Sequence, residues 1–334
     1  MHLKSQLIMI LLLAVSSSAL GSTVQAEALH GPTLGFAPNA TGSTIWPVLG
    51  IPGAAILGNP LILDTEIFGA IISPKQDYAL AVRNADRLPV VINLTGNGPT
   101  VNAIPGTDFI ADLLAISPTG SAAAVYDNDA KTVQVVRGLP NATELIYQFD
   151  ASALAGQAVQ MAVSDDATIV LLKSVADSGV GFWGFDSSGA SWRIALDRPS
   201  AAAFFVNSHD AVVVDDASQT VFVISDIART GIQVPLMFSA ANLAAVTVSA
   251  DNRQVFAADA STGNVLIADV ATRTSATLPC NCRPTGLSHL KGSSMFRLNE
   301  PSDQPLFMLD SNLRKVLFLP PVSSQASSAP EAAQ

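Results

Sequence analysis

The sequence has 334 residues, of which 49% are hydrophobic and only 13% are charged. This composition excludes an intrinsically disordered body, because disordered chains are rich in charge and poor in apolar residues. The formal net charge is −10, and the Lys and Arg residues form no cluster. Nucleic acid and anionic membrane surfaces are therefore disfavoured as partners, since both bind through concentrated positive charge.

The first 26 residues have the pattern of a secretory signal peptide. Lys4 gives a positive start, residues 7–15 (LIMILLLAV) are an unbroken apolar stretch, and small residues lead to a cleavage site at Ala26. A membrane anchor is the alternative, but this stretch is shorter than the ~20 residues that a spanning helix needs. A lipoprotein signal requires a cysteine directly after the apolar stretch, and none stands there. We therefore expect a secreted or periplasmic mature chain without membrane insertion.

Short apolar runs bounded by turn residues recur along the rest of the chain, whereas helix signals are weak. Four segments share one layout, which is an apolar strand, a tight turn opened by Ser, and a second apolar strand that ends in a polar turn. They are residues 70–83 (AIISPKQDYALAVR), 114–130 (LAISPTGSAAAVYDNDA), 161–174 (MAVSDDATIVLLKS) and 245–260 (AVTVSADNRQVFAADA). A third apolar run usually follows, so each repeat predicts consecutive β-strands.

The first turn residues of these repeats mark a regular period. They are Ser73, Ser117, Ser164, Asn207, Ser249 and Leu290, and they lie 41–47 residues apart. A period of ~40–45 residues with four short strands is typical of a β-propeller blade. Helical repeats have a similar period, but Ser-Pro turns between Val- and Ile-rich runs are not helical. The sequence predicts an all-β fold, a β-propeller of four-stranded antiparallel blades.

The turn segments resemble those of the YVTN-type β-propeller repeat family. Residues 72–75 (ISPK), 116–120 (ISPTG) and 248–251 (VSAD) are similar to that family's strand and Ser-Pro-Asp-Gly turn, and residues 255–270 are similar to its second and third strands. The resemblance covers about residues 70–320, although the family's tyrosine-rich second strand is missing. It implies a scaffold and carries no activity, because propellers host many unrelated functions.

Blade number depends on the N-terminal part of the mature chain. Six markers indicate six blades, but residues 36–45 (FAPNATGSTI) align with residues 256–265 (FAADASTGNV) as a second and a third strand, and residues 54–57 (AAIL) suggest a further one. Seven blades are therefore favoured over six, although no innermost strand for this extra blade is found. The predicted organisation is a signal peptide (1–26), a β-propeller domain (27–320) and a disordered tail rich in Pro, Ser and Ala (321–334).

Few histidines or cysteines are available for chemistry. His30, His209 and His289 are far apart and match no metal-ligand motif, so we expect isolated surface or turn histidines. Cys280 and Cys282 are the only cysteines. An oxidising compartment would allow them to form a disulfide, although the loop would be very small, and free thiols are the alternative.

Aspartates cluster after the second strand of several repeats. The candidate metal ligands are Asp86, Asp127, Asp129, Asp215, Asp216 and Asp259. The loops that follow second strands share one face of a propeller, so these carboxylates are expected on one face. Asp is favoured in hairpin turns whatever the function, and we prefer this interpretation because no DxDxDG-type calcium loop is present. The alternative is a site for Ca²⁺ or a cationic partner.

Two functions are consistent with these patterns. The first is an exported, monomeric binding module without a cofactor, which presents a loop-rich face to a protein, a glycan or a surface ligand. The second is a metal-dependent hydrolase or lactonase with a divalent cation at the mouth of the propeller channel. The first is preferred, because no catalytic motif accompanies the repeats.

Export predicts where the mature chain begins. Intact-mass measurement of the exported protein should give a chain that starts near Glu27, because the charged, apolar and small-residue segments occur in the order that signal peptidase recognises. A soluble cytoplasmic chain that retains residues 1–26 would contradict this prediction.

Overall fold

The computed structural model describes residues 32–96, 98–229, 232–236 and 242–321. The predicted signal peptide lies outside these residues, as does the predicted tail beyond residue 321. The strands form seven antiparallel sheets, which are the seven blades of a β-propeller. The predicted all-β fold and the preference for seven blades over six are confirmed. The described part of the chain contains no helix of the length and apolarity needed to span a membrane.

The strands of each blade follow one another in sequence. Blade one contains β1 (Thr33–Pro38), β2 (Ile45–Ile51) and β3 (Ala54–Leu57). Blade two contains β4 (Ile67–Ile72), β5 (Tyr78–Arg83), β6 (Pro89–Asn93) and β7 (Thr100–Ala103). Blade three contains β8 (Leu113–Ile116), β9 (Ala122–Asp127), β10 (Thr132–Arg137) and β11 (Glu144–Asp150). Blade four contains β12 (Gln157–Val163), β13 (Ile169–Ala176), β14 (Gly179–Asp186) and β15 (Ser191–Arg193).

The last three blades repeat this arrangement. Blade five contains β16 (Pro199–Phe204), β17 (Ala211–Asp215), β18 (Thr220–Ser225) and β19 (Ile232–Leu236). Blade six contains β20 (Leu243–Val248), β21 (Gln254–Asp259), β22 (Asn264–Asp269) and β23 (Ser275–Pro279). Blade seven contains β24 (Ser288–His289), β25 (Met295–Arg297), β26 (Leu306–Asp310) and β27 (Lys315–Leu319).

Burial varies across each blade, and this explains the apolar runs in the sequence. The second strands are buried almost throughout, as in β5 and β9, because neighbouring blades cover both faces of the sheet. The fourth strands are the outermost and are largely exposed, as in β7 and β23. Continuous apolar runs therefore mark second and third strands, while the fourth strands leave only a weak pattern.

An apolar cluster fills every junction between neighbouring blades. At the junction between the last and the first blade, Leu34 and Val48 pack with Met295 and Met308. The ring is thus closed by side-chain packing of the same kind that joins the other blades. Burial of apolar area supplies the main free energy for this closure.

The serine markers are buried and close the turn between the first and the second strand. Ser164 Oγ accepts a hydrogen bond from the Ile169 N–H at 3.0 Å and donates one to Asp166 at 2.7 Å. In blade five the equivalent residue is Phe205, whose N–H donates to the Asp210 carbonyl across the same turn. The predicted marker Asn207 was therefore placed two residues too late, because an apolar residue replaces the serine.

Blade one has three strands among the described residues. β1 begins near the turn between the first two strands of blade seven, where the Leu34 carbonyl accepts from the Lys291 N–H at 2.7 Å. β1 ends in a turn whose Gly42 carbonyl accepts from the Ala70 N–H of β4 at 3.1 Å. β1 therefore runs in the direction of a second strand, and no described strand takes the innermost position of this blade.

Neighbouring blades hold the inner edge of β1. The Phe36 N–H donates to Gln76 Oε1 at 2.6 Å, and the Pro38 carbonyl accepts from Arg297 Nη1 at 3.0 Å. Gln76 Nε2 donates at 2.6 Å to the backbone carbonyl of His289. One side chain of blade two therefore bonds to blade one and to blade seven, and it joins the two blades that flank the incomplete one.

The closure by Gln76 can be tested by substitution. Gln76→Met keeps a similar length but leaves the Phe36 N–H and the His289 carbonyl without these partners. We expect the free energy of unfolding to fall by about 1–3 kcal/mol, because a fully buried orphaned polar group costs about 1–3 kcal/mol and these two hydrogen bonds are partly buried. Chemical denaturation measures the loss, with Gln304→Met on an exposed loop as the matched control. A loss below about 0.5 kcal/mol, the usual effect of a surface substitution, would contradict this role.

Candidate functional site

The first strands of blades two to seven end around a common opening, which we call the channel mouth. The cavity there has a volume of about 590 Å³, within the ~300–1,000 Å³ of typical ligand pockets. Its lining consists of Ile71, Ile72, Pro74, Lys75, Leu114, Ala115, Ile116, Ser117, Pro118, Thr119, Met161, Ala162, Val163, Ala202, Ala203, Phe204, Val206, Thr247, Val248, Ala250, Ser288, His289, Gly292 and Ser293. Blade one contributes none of these described lining residues, which agrees with its missing innermost strand.

The lining is mainly apolar. Among the lining residues, Lys75 and His289 have titratable side chains, and no carboxylate is present. Burial lowers the pKa of His289 to about 4, so its imidazole is neutral at neutral pH. Lys75 is exposed. The cavity is therefore an apolar space with one cationic group.

Hydrogen bonds between neighbouring turns hold the channel mouth in shape. The Asp165 carboxylate accepts from the Thr119 N–H and hydroxyl at 2.7 and 2.6 Å, and from the Asn207 N–H at 2.7 Å, which connects blades three, four and five. The Val206 N–H donates to Asn252 Oδ1 of blade six at 2.8 Å. These bonds fix the cavity before a ligand arrives, which lowers the entropic cost of binding.

His209 takes part in a polar contact on the same face. Its Nε2 lies 2.7 Å from Asp166 Oδ2 and 3.1 Å from the Thr168 hydroxyl. Partial burial works to raise the pKa of Asp166, but hydrogen bonds from Ser164, His209 and Thr168 outweigh it and bring the pKa to about 2. His209 is thus a turn residue, as expected, but it is not isolated. The contact joins blades four and five.

The candidate aspartates lie at the turns between second and third strands, on the face opposite the channel mouth. Asp215 and Asp259, like Asp127, are buried, and each bonds to its own turn. Asp215 accepts from the Ser218 hydroxyl at 2.7 Å and from the Arg198 N–H at 2.7 Å. Asp259 accepts from the Ser261 hydroxyl at 2.6 Å. Burial works to raise the pKa of both, but these hydrogen bonds outweigh it, so that both pKa values are lowered.

The other candidate aspartates have local partners or face solvent. Asp86 forms an ion pair with Arg83 at 2.6 Å, and this bond lowers the pKa of Asp86. Asp127 accepts from the N–H of Asp129 at 2.8 Å, while the Asp129 side chain is exposed. Asp216 accepts from the Ser200 hydroxyl at 2.7 Å. Within the described ranges, no three His, Cys, Asp or Glu residues come together as metal ligands.

Cys280 and Cys282 are joined by a disulfide. Cys280 is buried among apolar residues at the junction of blades six and seven. His289 and Phe296 belong to the same region, with ring centroids 4.7 Å apart. Neither cysteine belongs to the lining of the channel mouth.

The sequence did not reveal the channel mouth as a site. Its residues come from six blades, and segments such as 161–163 (MAV) and 202–204 (AAF) have the same pattern as core strands. The available signal was the marker turn itself, because each marker ends a first strand and the first strands line the channel. Reading the residues just before and after each marker would have collected most of the lining.

Two solved structures share the fold of this chain. One is a functionally unknown protein from Desulfotomaculum acetoxidans DSM 771, with 14% identity and a TM-score of 0.57 over 86% of this chain and 99% of that one. The other is hydrazine synthase from Kuenenia stuttgartiensis, with 10% identity and a TM-score of 0.51 over 90% and 99%. No protein-family model matches the sequence, and no curated protein matches it. At these identities the similarity shows the propeller fold alone.

The arrangement of the aspartates predicts the response to calcium. Calcium takes ~6–8 oxygen ligands, whereas these carboxylates are divided among separate turns. We expect the melting curve of the chelator-treated protein to stay unchanged when millimolar calcium is added, with magnesium as the comparison. A midpoint that rises with the logarithm of calcium concentration would contradict this prediction, because only a ligand of the native state stabilises it in that way.

Proposed function

We propose that this chain is an exported, monomeric β-propeller of YVTN-type repeats that acts as a binding module and takes its ligand at the channel mouth. The propeller fold is a frequent scaffold for interactions, and its function is decided by the site. The observation that carries the proposal is the apolar cavity of about 590 Å³ at the centre of one face.

The form of this cavity supports binding. A concave, mainly apolar space with few polar groups is the usual character of a ligand pocket. The turns around it are joined across blades by Asp165, Asn252 and Gln76. A preformed rigid pocket of this kind favours recognition, because little order has to be gained when the ligand enters.

The hydrolase or lactonase alternative requires carboxylates at the channel mouth. The lining contains none, and the candidate aspartates lie on the opposite face. Asp215 and Asp259 use their oxygens to close their own turns. No observation on the described residues favours the metal-dependent enzyme over the binding module.

Export and the class of partner rest on the sequence. Residues 1–26 have the signal-peptide pattern, and a net charge of −10 without a basic cluster disfavours nucleic acid. A protein, a glycan or a surface ligand is the partner class that a loop-rich propeller face suits. An apolar part of that partner would enter the cavity, since the lining is mainly apolar.

The site can be tested by blocking it. A library of small apolar and polar compounds is screened by thermal shift, and hydrogen–deuterium exchange then locates the bound compounds. We expect protection of the turns around residues 72–75, 116–119 and 247–250, and loss of binding in Ala162→Phe, which fills the cavity from β12.

The controls separate occlusion of the cavity from damage to the fold. Ala217→Phe makes the same change at an exposed turn on the opposite face and should bind normally. Ala250→Trp at the exposed rim serves as a second blocking variant if Ala162→Phe does not fold. Compounds that protect only the opposite face, or that bind both blocking variants as well as the original chain, would refute the proposal.

A further inference from the structure

The cavity at the channel mouth differs in charge from the rest of the protein. The chain carries a formal net charge of −10. The lining nevertheless contains the cation Lys75 and no Asp or Glu. The imidazole of His289 adds no charge at neutral pH, because burial lowers its pKa to about 4. The single formal charge among the lining residues is thus positive, within an acidic molecule.

The acidic residues near the channel mouth lie outside the lining and are already bonded. Asp77 accepts from the Ser73 hydroxyl at 2.6 Å, and Asp251 accepts from the Ser249 hydroxyl at 2.6 Å. Asp165 and Asp166 join the turns of blades three, four and five. Because these carboxylates hold the turns together, they are fixed in place outside the cavity.

Lys75 is the charged lining residue that can pair with a ligand. Its side chain is exposed at the edge of the cavity. It takes part in none of the ion pairs found between described residues. Ile72 at the end of β4 and Pro74 of the same turn as Lys75 belong to the apolar wall. An ammonium group therefore stands beside an apolar space, where one bound molecule can contact both.

We propose that the channel mouth binds a small amphiphilic carboxylate, with its apolar body in the cavity and its carboxylate at Lys75. This inference rests on the proposed function and names the ligand chemistry of the same site. Apolar burial supplies most of the affinity, and the single cation supplies the preference for an anion over neutral or cationic analogues.

Three alkyl probes of equal chain length test the charge preference. Decanoate, decanol and decylammonium are titrated into the mature protein by calorimetry, below their critical micelle concentrations. Decanoate should bind most tightly and decylammonium least. Lys75→Met should weaken decanoate about two- to fivefold, as expected for a partly exposed ion pair, and should leave decanol unchanged. Lys315→Met, on the outermost strand β27, is the matched control and should bind all three probes normally.

Different outcomes separate the ligand chemistry from the site. Loss of decanoate and decanol binding in Ala162→Phe, or in Ala250→Trp if the first variant does not fold, supports the cavity as the site. Decanol that binds as tightly as decanoate, with no effect of Lys75→Met, overturns the carboxylate preference while the channel mouth remains a binding site. Decanoate binding that survives both blocking variants overturns the inference and places the probe elsewhere.

Discussion

The apolar packing that closes the ring is supplemented at the incomplete blade by the hydrogen bonds of Gln76, which reach blade one and blade seven. In blades two to seven an innermost strand supports the second strand of the sheet. Blade one has no described strand there, so the N–H of the half-buried Phe36 would lack a strand partner. A glutamine amide has both a donor and an acceptor. Gln76 can therefore satisfy the strand edge and reach the last blade at the same time.

The turn between β4 and β5 contributes both to ring closure and to the cavity lining. Gln76 belongs to the turn of blade two that also contains Pro74 and Lys75 of the cavity lining. The position of Lys75 is therefore set by the same contacts that join the first and last blades. The opposite face is different, because its aspartates close individual turns, as Asp259 does. Other groups connect neighbouring blades on that face, as the Asn128 side chain does through its bonds to the Ala158 backbone.

Most of the fold was predictable from the sequence because each blade repeats a local signal. A serine that bonds across its own turn is such a signal, and it placed the turns at Ser73, Ser117, Ser164 and Ser249 correctly. In blade five, Phe205 takes the place of the serine. The backbone turn is kept, but the serine signal is missing, so the predicted marker lay two residues too late. The extra blade was found through its second and third strands, and the missing innermost strand was a true feature of the described chain.

The candidate site was much less predictable. A cavity at the ends of six first strands depends on how distant segments converge, and its apolar residues, such as Met161 and Phe204, resemble ordinary core. The aspartates were conspicuous in the sequence because turns favour them, and this frequency says little about function. The preferences of residues for turns and strands therefore predicted the scaffold, whereas the site forms only when segments from six blades come together.

The apolar clusters between blades have a consequence for how the molecule loses its structure. Opening any one junction turns the ring into an open stack and exposes two apolar faces at once. No blade can leave without this exposure, so partly unrolled rings are disfavoured and unfolding becomes a concerted event. The same constraint limits changes in blade number during evolution, because the gain or loss of a blade changes the angle between neighbouring blades at every junction. Such a chain would then need new contacts in place of the hydrogen bonds that Gln76 makes to blades one and seven.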